Sequence, residues 1–112
     1  MEINTVTMKR CVLVAVSGRI DSAHAPDLEG TLLDLIQSGN RNLVVNMKDA
    51  EIITSAGLRA LIAARIKVQR MVPRGEVVLS ELPPFIYESL ELVGFHRLFP
   101  SFDTDIDAVG SI

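Results

Sequence analysis

The sequence predicts a single small α/β domain with a mixed sheet of four to five strands and about four helices, in the order ββαβαβα with a short ending. Three observations predict it. Apolar runs of strand length alternate with longer segments whose apolar residues recur at helical spacing. Proline and glycine punctuate the boundaries, at Pro26, Gly39, Gly75, Pro83-Pro84 and Gly94. Hydrophobic residues make up 48% of the 112, enough for a packed core, and the 22% of charged residues is near the globular average, which argues against disorder.

The elements follow in order. Ile3 to Thr7 alternates weakly, and Cys11 to Val16 is apolar at every position, as a central strand covered on both faces would be. Joined through Met8-Lys9-Arg10, the two read as a hairpin. Cys11 reads as a small core residue of that strand. Gly18 to Ser22 breaks the run, and a helix starts between Ser22 and Pro26, since proline is tolerated only in a first turn. Leu28, Leu32, Leu35 and Ile36 form its apolar stripe and Gly39 ends it. Leu43 to Met47 is a third strand and Lys48-Asp49-Ala50 a turn. In the second helix Leu58, Leu61, Ile62 and Ile66 share one face, with Ala60, Ala63 and Ala64 allowing close approach to a sheet, while Arg65, Lys67 and Arg70 read as a solvated face. Pro73-Arg74-Gly75 stops it. Val77 to Leu79 is a fourth strand, and Pro83-Pro84 opens a helix lined by Ile86, Leu90 and Val93 and closed by Gly94. Leu98-Phe99 adds a short extended piece, and Thr104 or Asp105 caps a last turn.

Composition excludes several functions. A net charge of −3 and a pI near 5.3 give no electrostatic basis for nucleic acid binding. No window approaches 18 uninterrupted apolar residues, and the N-terminus lacks the pattern of a signal peptide. One cysteine fits a reducing compartment, so a cytoplasmic location is expected. His24 and His96 lie far apart, with no cluster at metal-ligand spacing, and no cofactor fingerprint is present. Without a Gly-x-Ser-x-Gly elbow or an identifiable base, the chain is not expected to be an enzyme.

Strands separated by helices give a sheet whose later strands are mostly parallel, and the loops at their carboxyl ends carry function. Gly18 to Ser22, Lys48 to Ala56, and Ser80 to Pro84 share that edge. The middle loop runs into Thr54-Ser55-Ala56-Gly57, a polar knot at a helix mouth. Thr54 or Ser55 would cap the helix, a contribution of about 1 kcal/mol. A phosphate on the serine would also be accommodated by the free N–H groups there, adding nearly two charges without unfolding the domain.

At these residues the chain resembles a STAS domain, the family of bacterial anti-sigma factor antagonists, over nearly its whole length, 1–112. Gly18-Arg19-Ile20-Asp21 and Ala25-Pro26-Asp27-Leu28 are similar to the family's first loop and helix opening. Ile53-Thr54-Ser55-Ala56-Gly57-Leu58-Arg59 resembles its signature loop and helix, and Leu92 to Phe99 its closing motif. The resemblance implies a STAS-like fold and a binding module that engages an anti-sigma factor, itself a serine kinase with a histidine-kinase-like ATPase fold, and frees a sigma factor. Phosphorylation of the loop serine would weaken the complex and a PPM-type serine phosphatase would reverse it. By motif position the acceptor is Ser55, ahead of Thr54, and the partner-binding set is Asp21, Thr54, Ser55, Ala56, Gly57, Leu58 and Arg59. Gly57 would let the partner approach the backbone, and Asp21 would flank it or serve as a pre-helix cap. Two positions depart from the family: Thr54, before the acceptor, and Asn46, ending the third strand, stand where aspartate is common. A competing reading is a STAS subunit of a phospholipid ABC transporter, docking through the same face without phosphorylation.

Overall fold

In a computed structural model that describes Met1 to Ile112, β1 (Glu2–Thr7) and β2 (Val12–Ile20) form the expected antiparallel hairpin. The chain continues through α1 (Ala25–Gln37), β3 (Asn42–Asn46), β4 (Ala50–Ile53), α2 (Ser55–Gln69), β5 (Glu76–Ser80), α3 (Pro84–Leu92), β6 (Ser101–Phe102) and α4 (Asp105–Gly110). A 3₁₀ turn at Phe95–Arg97 follows α3. The sheet order is β1-β2-β3-β5-β6, and β4 pairs with the far end of β2. Every pairing after the hairpin is parallel. The carboxyl ends of β2, β3, β4 and β5 therefore meet at one edge.

The core lies between the sheet and α1, α2 and α3. Val12, Val14 and Val16 of β2 meet Leu28, Leu32 and Ile36 of α1 and Leu58, Leu61 and Ala64 of α2 there. Each large side chain so buried stabilises by roughly 2 kcal/mol. The opposite face carries a smaller cluster of Cys11, Val44, Val78 and Ala108, closed by α4 alone. Burial pushes the Cys11 thiol up from its ordinary 9.0, as suits a packed rather than a reactive cysteine. Proline in the first turn of α1 and a left-handed Gly39 (φ +105°) just after its end fix that helix where the sequence places it. Thr104 caps α4, its hydroxyl accepting from the Asp107 N–H at 3.1 Å.

Several expectations need correction. The segment after β3 is not all loop: Ala50 begins β4, whose last residues run beside Arg19 and Ile20. Gly18 does not end β2; with φ +83° it sits at a register shift that bends the strand on to Ile20. β2 is covered unevenly: Leu13, Ala15 and Ser17 on its second face are half-buried, with Leu13 against the smaller cluster, because α4 packs mainly on β3, β5 and β6. Ile66 is 41% exposed because the buried face of α2 turns through Ala60, Ala64 and Val68, where small side chains let the helix approach the sheet. Val93 is exposed, lying past the end of α3. The late extended piece falls at Ser101–Phe102, not at Leu98-Phe99. Arg65 is half-buried rather than solvated, donating from Nε to the Leu98 carbonyl at 2.8 Å.

Candidate functional site

The site grows from one carbonyl. Ile20, the last residue of β2, is fully buried, and its oxygen accepts from the Thr54 N–H at 3.0 Å and from Thr54 Oγ1 at 3.3 Å. This double bond to one acceptor ties the first loop to the mouth of α2. Thr54 stands at the N-cap position, but its hydroxyl donates to Ile20 instead of accepting from the helix, so neither Thr54 nor Ser55 supplies a side-chain cap. A hydroxyl suits this bond, since a carboxylate has no proton to give Ile20 O.

Gly57 completes the junction. A Cβ there would stand 2.7 Å from Ile20 Cγ2, 2.9 Å from Ile53 Cγ1 and 3.0 Å from Ile20 O. The missing side chain lets the first turn of α2 lie directly on the ends of β2 and β4. Gly57 and Leu58 are both buried, so of the seven expected contact residues these two build the site from beneath and do not form its surface. Thr54 and Ala56 are half-buried, and Ser55 and Arg59 are exposed.

Ser55 is the first residue of α2, and its hydroxyl makes no hydrogen bond within the chain. The first intrahelical bond is from the Leu58 N–H to Thr54 O, which leaves the N–H groups of Ser55, Ala56 and Gly57 at the positive end of the helix. Arg59 lies one turn further on the same face as Ser55. Ala56 and Arg59 face Ser22, Pro26 and Glu29 across a shallow groove of about 340 Å³ between α2 and the first turn of α1.

Asp21 follows Ile20 directly and organises the turn into α1. Its Oδ1 accepts from His24 Nδ1 at 2.7 Å and from the N–H groups of His24 and Ala23, each at 3.2 Å, while Arg19 Nε stands 3.7 Å from Oδ2. The His24 side-chain bond, aided by the two backbone N–H groups, holds the Asp21 carboxyl below its usual 3.8. Asp21 is thus a pre-helix cap as well as a neighbour of the helix mouth, and its main oxygen is already engaged.

Asn46 ends β3, as expected, and its side chain turns to Glu81 and Asp105. Its Nδ2 donates to Glu81 Oε2 at 3.0 Å and to Asp105 Oδ1 at 2.9 Å, and its Oδ1 accepts from the Lys48 N–H at 2.9 Å. Ser80, fully buried, donates to the same Asp105 oxygen at 2.6 Å. The amide suits this place because its N–H₂ can donate to two carboxylates at once, which an ionised aspartate cannot do. Residues that the sequence did not assign to this site are His24, whose spacing of three from Asp21 was the available signal, and Ser22, Pro26 and Glu29 of the groove. Their meeting with α2 depends on the sheet and has no local signature.

Three comparisons bear on this geometry. The family model for the STAS domain matches residues 2–108. A protein named as a candidate anti-sigma factor antagonist, BtrV of Bordetella bronchiseptica, is 33% identical over 89 residues, covering 80% of this chain and 75% of its own. Among solved structures, an anti-sigma factor antagonist from Mycobacterium paratuberculosis matches with a TM-score of 0.85 at 23% identity, over 99% of this chain and 92% of that one. The Bacillus cell fate determinant SpoIIAA in its phosphorylated form matches with a TM-score of 0.74 at 12% identity, over 98% of each chain.

Proposed function

The chain belongs to the STAS domain family, and on that premise we propose that it is an anti-sigma factor antagonist whose binding is switched at Ser55. It acts in the cytoplasm by docking rather than by catalysis, and no helix is long and apolar enough to cross a membrane. The partner is an anti-sigma factor that is also a serine kinase with a histidine-kinase-like ATPase fold. The docking surface is Ser55, Ala56 and Arg59 with the adjoining groove and the Asp21 turn. Thr54, Gly57 and Leu58 hold it in place from within.

The observation that carries this reading is the contrast between two adjacent hydroxyls. Thr54 Oγ1 is half-buried and donates to Ile20 O, whereas Ser55 is exposed with its hydroxyl unengaged. Ser55 can enter a kinase active site without breaking a bond of the fold. In the transfer, Ser55 Oγ attacks the γ-phosphorus of ATP and gives its proton to a base of the kinase, the new O–P bond forms, and the bond to the departing ADP breaks. The product adds nearly two negative charges beside the N–H groups of the first turn and Arg59. Those groups hold the phosphate, so the domain stays folded while the docking face becomes more negative. A PPM-type phosphatase returns the serine.

The test incubates the chain with ATP and its candidate anti-sigma kinase, then maps the site by intact-mass and peptide mass spectrometry. The expected result is one phosphate at Ser55, none on Ser55→Ala, retained kinase binding by Ser55→Ala, and binding by Ser55→Asp weaker by about tenfold or more. Equal kinase binding by all four forms (wild type, both variants and phosphoprotein) removes the switch.

A further inference from the structure

We propose that β1 is a self-association edge, through which a second copy of this chain pairs antiparallel and joins the two sheets into one. The two edges of the sheet are built differently. At the far edge β6 has only two residues, set between Pro100 and Asp103, which is a standard way to prevent strand addition. At the near edge β1 is six residues long, Glu-Ile-Asn-Thr-Val-Thr, with no proline, no lysine and no bulge against β2. Only Ile3 is half-buried; the other five residues are exposed. Alternate backbone N–H and C=O groups of this strand point away from β2 and meet no other strand.

The side chains favour a second copy over another occupant. Val6 is 54% exposed and Met8 41% exposed, and both stand on the face away from α1 and α2. Ile106 of α4, 83% exposed, borders the same apolar hollow as Met8. Charge along the strand is antisymmetric: Glu2 begins it, and Lys9 and Arg10 lie in the turn that ends it. Glu2 and Lys9 have no ion-pair partner within the chain, and Arg10 makes one long bond, from Nη1 to Ile112 O at 3.4 Å. A twofold axis at Thr5 sets Asn4 opposite Val6 and Ile3 opposite Thr7, keeping each side chain on the face it already occupies. It also brings Glu2 of each copy to the basic turn of the other, at both ends of the ribbon. Thr5 then faces its own counterpart, a pair that antiparallel strands accept well. An unrelated strand would have to supply this charge order by chance, whereas a second copy supplies it by symmetry.

Sedimentation velocity of the full chain from micromolar to millimolar concentration should show a reversible monomer–dimer equilibrium. Thr5→Lys and Thr5→Glu each place like charges opposite each other and should weaken the dimer by about tenfold or more. An equimolar mixture of the two should restore it as a heterodimer. Thr5 is exposed, so each variant should keep the circular dichroism of the parent. A chain that stays monomeric throughout overturns the proposal, and so does a dimer indifferent to both substitutions. Should a variant fail to fold, amide exchange of the wild type decides: alternate β1 amides gain protection with concentration if the edge pairs, and unchanged protection refutes it.

Discussion

Two polar clusters lie at the same edge of the sheet and are wired in opposite ways. Around Asn46, each polar group is matched to another: the amide bridges Glu81 and Asp105, Ser80 adds a hydroxyl, and the ends of β3 and β5 and the start of α4 become one unit. Glu81 reaches it from a left-handed backbone (φ +53°), which costs roughly 1 kcal/mol and persists only because the cluster holds it. At the mouth of α2 the bonding stops at Thr54, and Ser55 beside it is left exposed and unbonded. The lesson is that a serine becomes addressable when its neighbour carries the structural duty. Ser80 closes a network, and Ser55 is free because Thr54 and Gly57 hold the helix in its place.

The largest expected effect breaks that division at Gly57. Gly57→Val drives side-chain carbons into Ile20 and Ile53, already less than 3 Å from a single added Cβ, and should cost about 3 kcal/mol in a urea titration. Gly57→Ala should cost less and still lower the midpoint. Next comes Asn46→Asp, which restores the residue common in the family. It removes both donations and sets a third carboxylate beside Glu81 and Asp105, a loss of about 2 kcal/mol at neutral pH. The new carboxyl is pushed upward by its neighbours. The electrostatic deficit is therefore complete above that raised value, shrinks as pH falls from there towards the unfolded value of about 4, and is gone below it, where the carboxyl is protonated in both states. Urea titrations of parent and variant at neutral and acidic pH check both size and sign.

These two residues also show where a sequence stops being readable. The hairpin, α1 and the later strands are announced locally, by apolar runs, by Pro26 and by Gly39 and Gly94 with their positive φ angles. β4 is not: its four residues are buried only at Ala50 and Ile53, so no alternation marks them. Gly57 stands two residues after a serine in a motif, which suggests an exposed approach for a partner. Its real constraint is Ile20, on another strand, and that contact exists only once the sheet has formed. Asn46 is the same case at longer range, since its partner Asp105 is 59 residues away. The helix mouth could be located from residue types, but which of its residues face outward could not.

A smaller effect separates the two hydroxyls themselves. Thr54→Ala loses the bond to Ile20 O and should cost about 1 kcal/mol, whereas Ser55→Ala should lie within about 0.5 kcal/mol of the parent. Thr54→Ser, which keeps a donor, should recover most of the loss. Thermal midpoints of the three variants, measured together, give the ranking. Equal losses at Thr54 and Ser55 would mean that the serine also has a structural role and is not free for modification.

The smallest effect lies one residue before the groove, at Asp21. Its carboxyl titrates below the usual 3.8 because the folded state holds it ionised, chiefly through His24 Nδ1 and then through two backbone N–H groups. A lowered folded value means that the stabilisation is present above the unfolded value and is lost as pH falls through the folded one. A carboxyl-carbon NMR titration should place the Asp21 midpoint below 3.8, and His24→Ala should move it up towards that figure without abolishing the two backbone bonds. The shift should stay local: the amide signals of Thr54 and Ser55 follow Asp21 only if the turn moves with its charge. If they do follow it, the first loop and the helix mouth form one electrostatic unit, and a phosphate on Ser55 would be read by Asp21 in return.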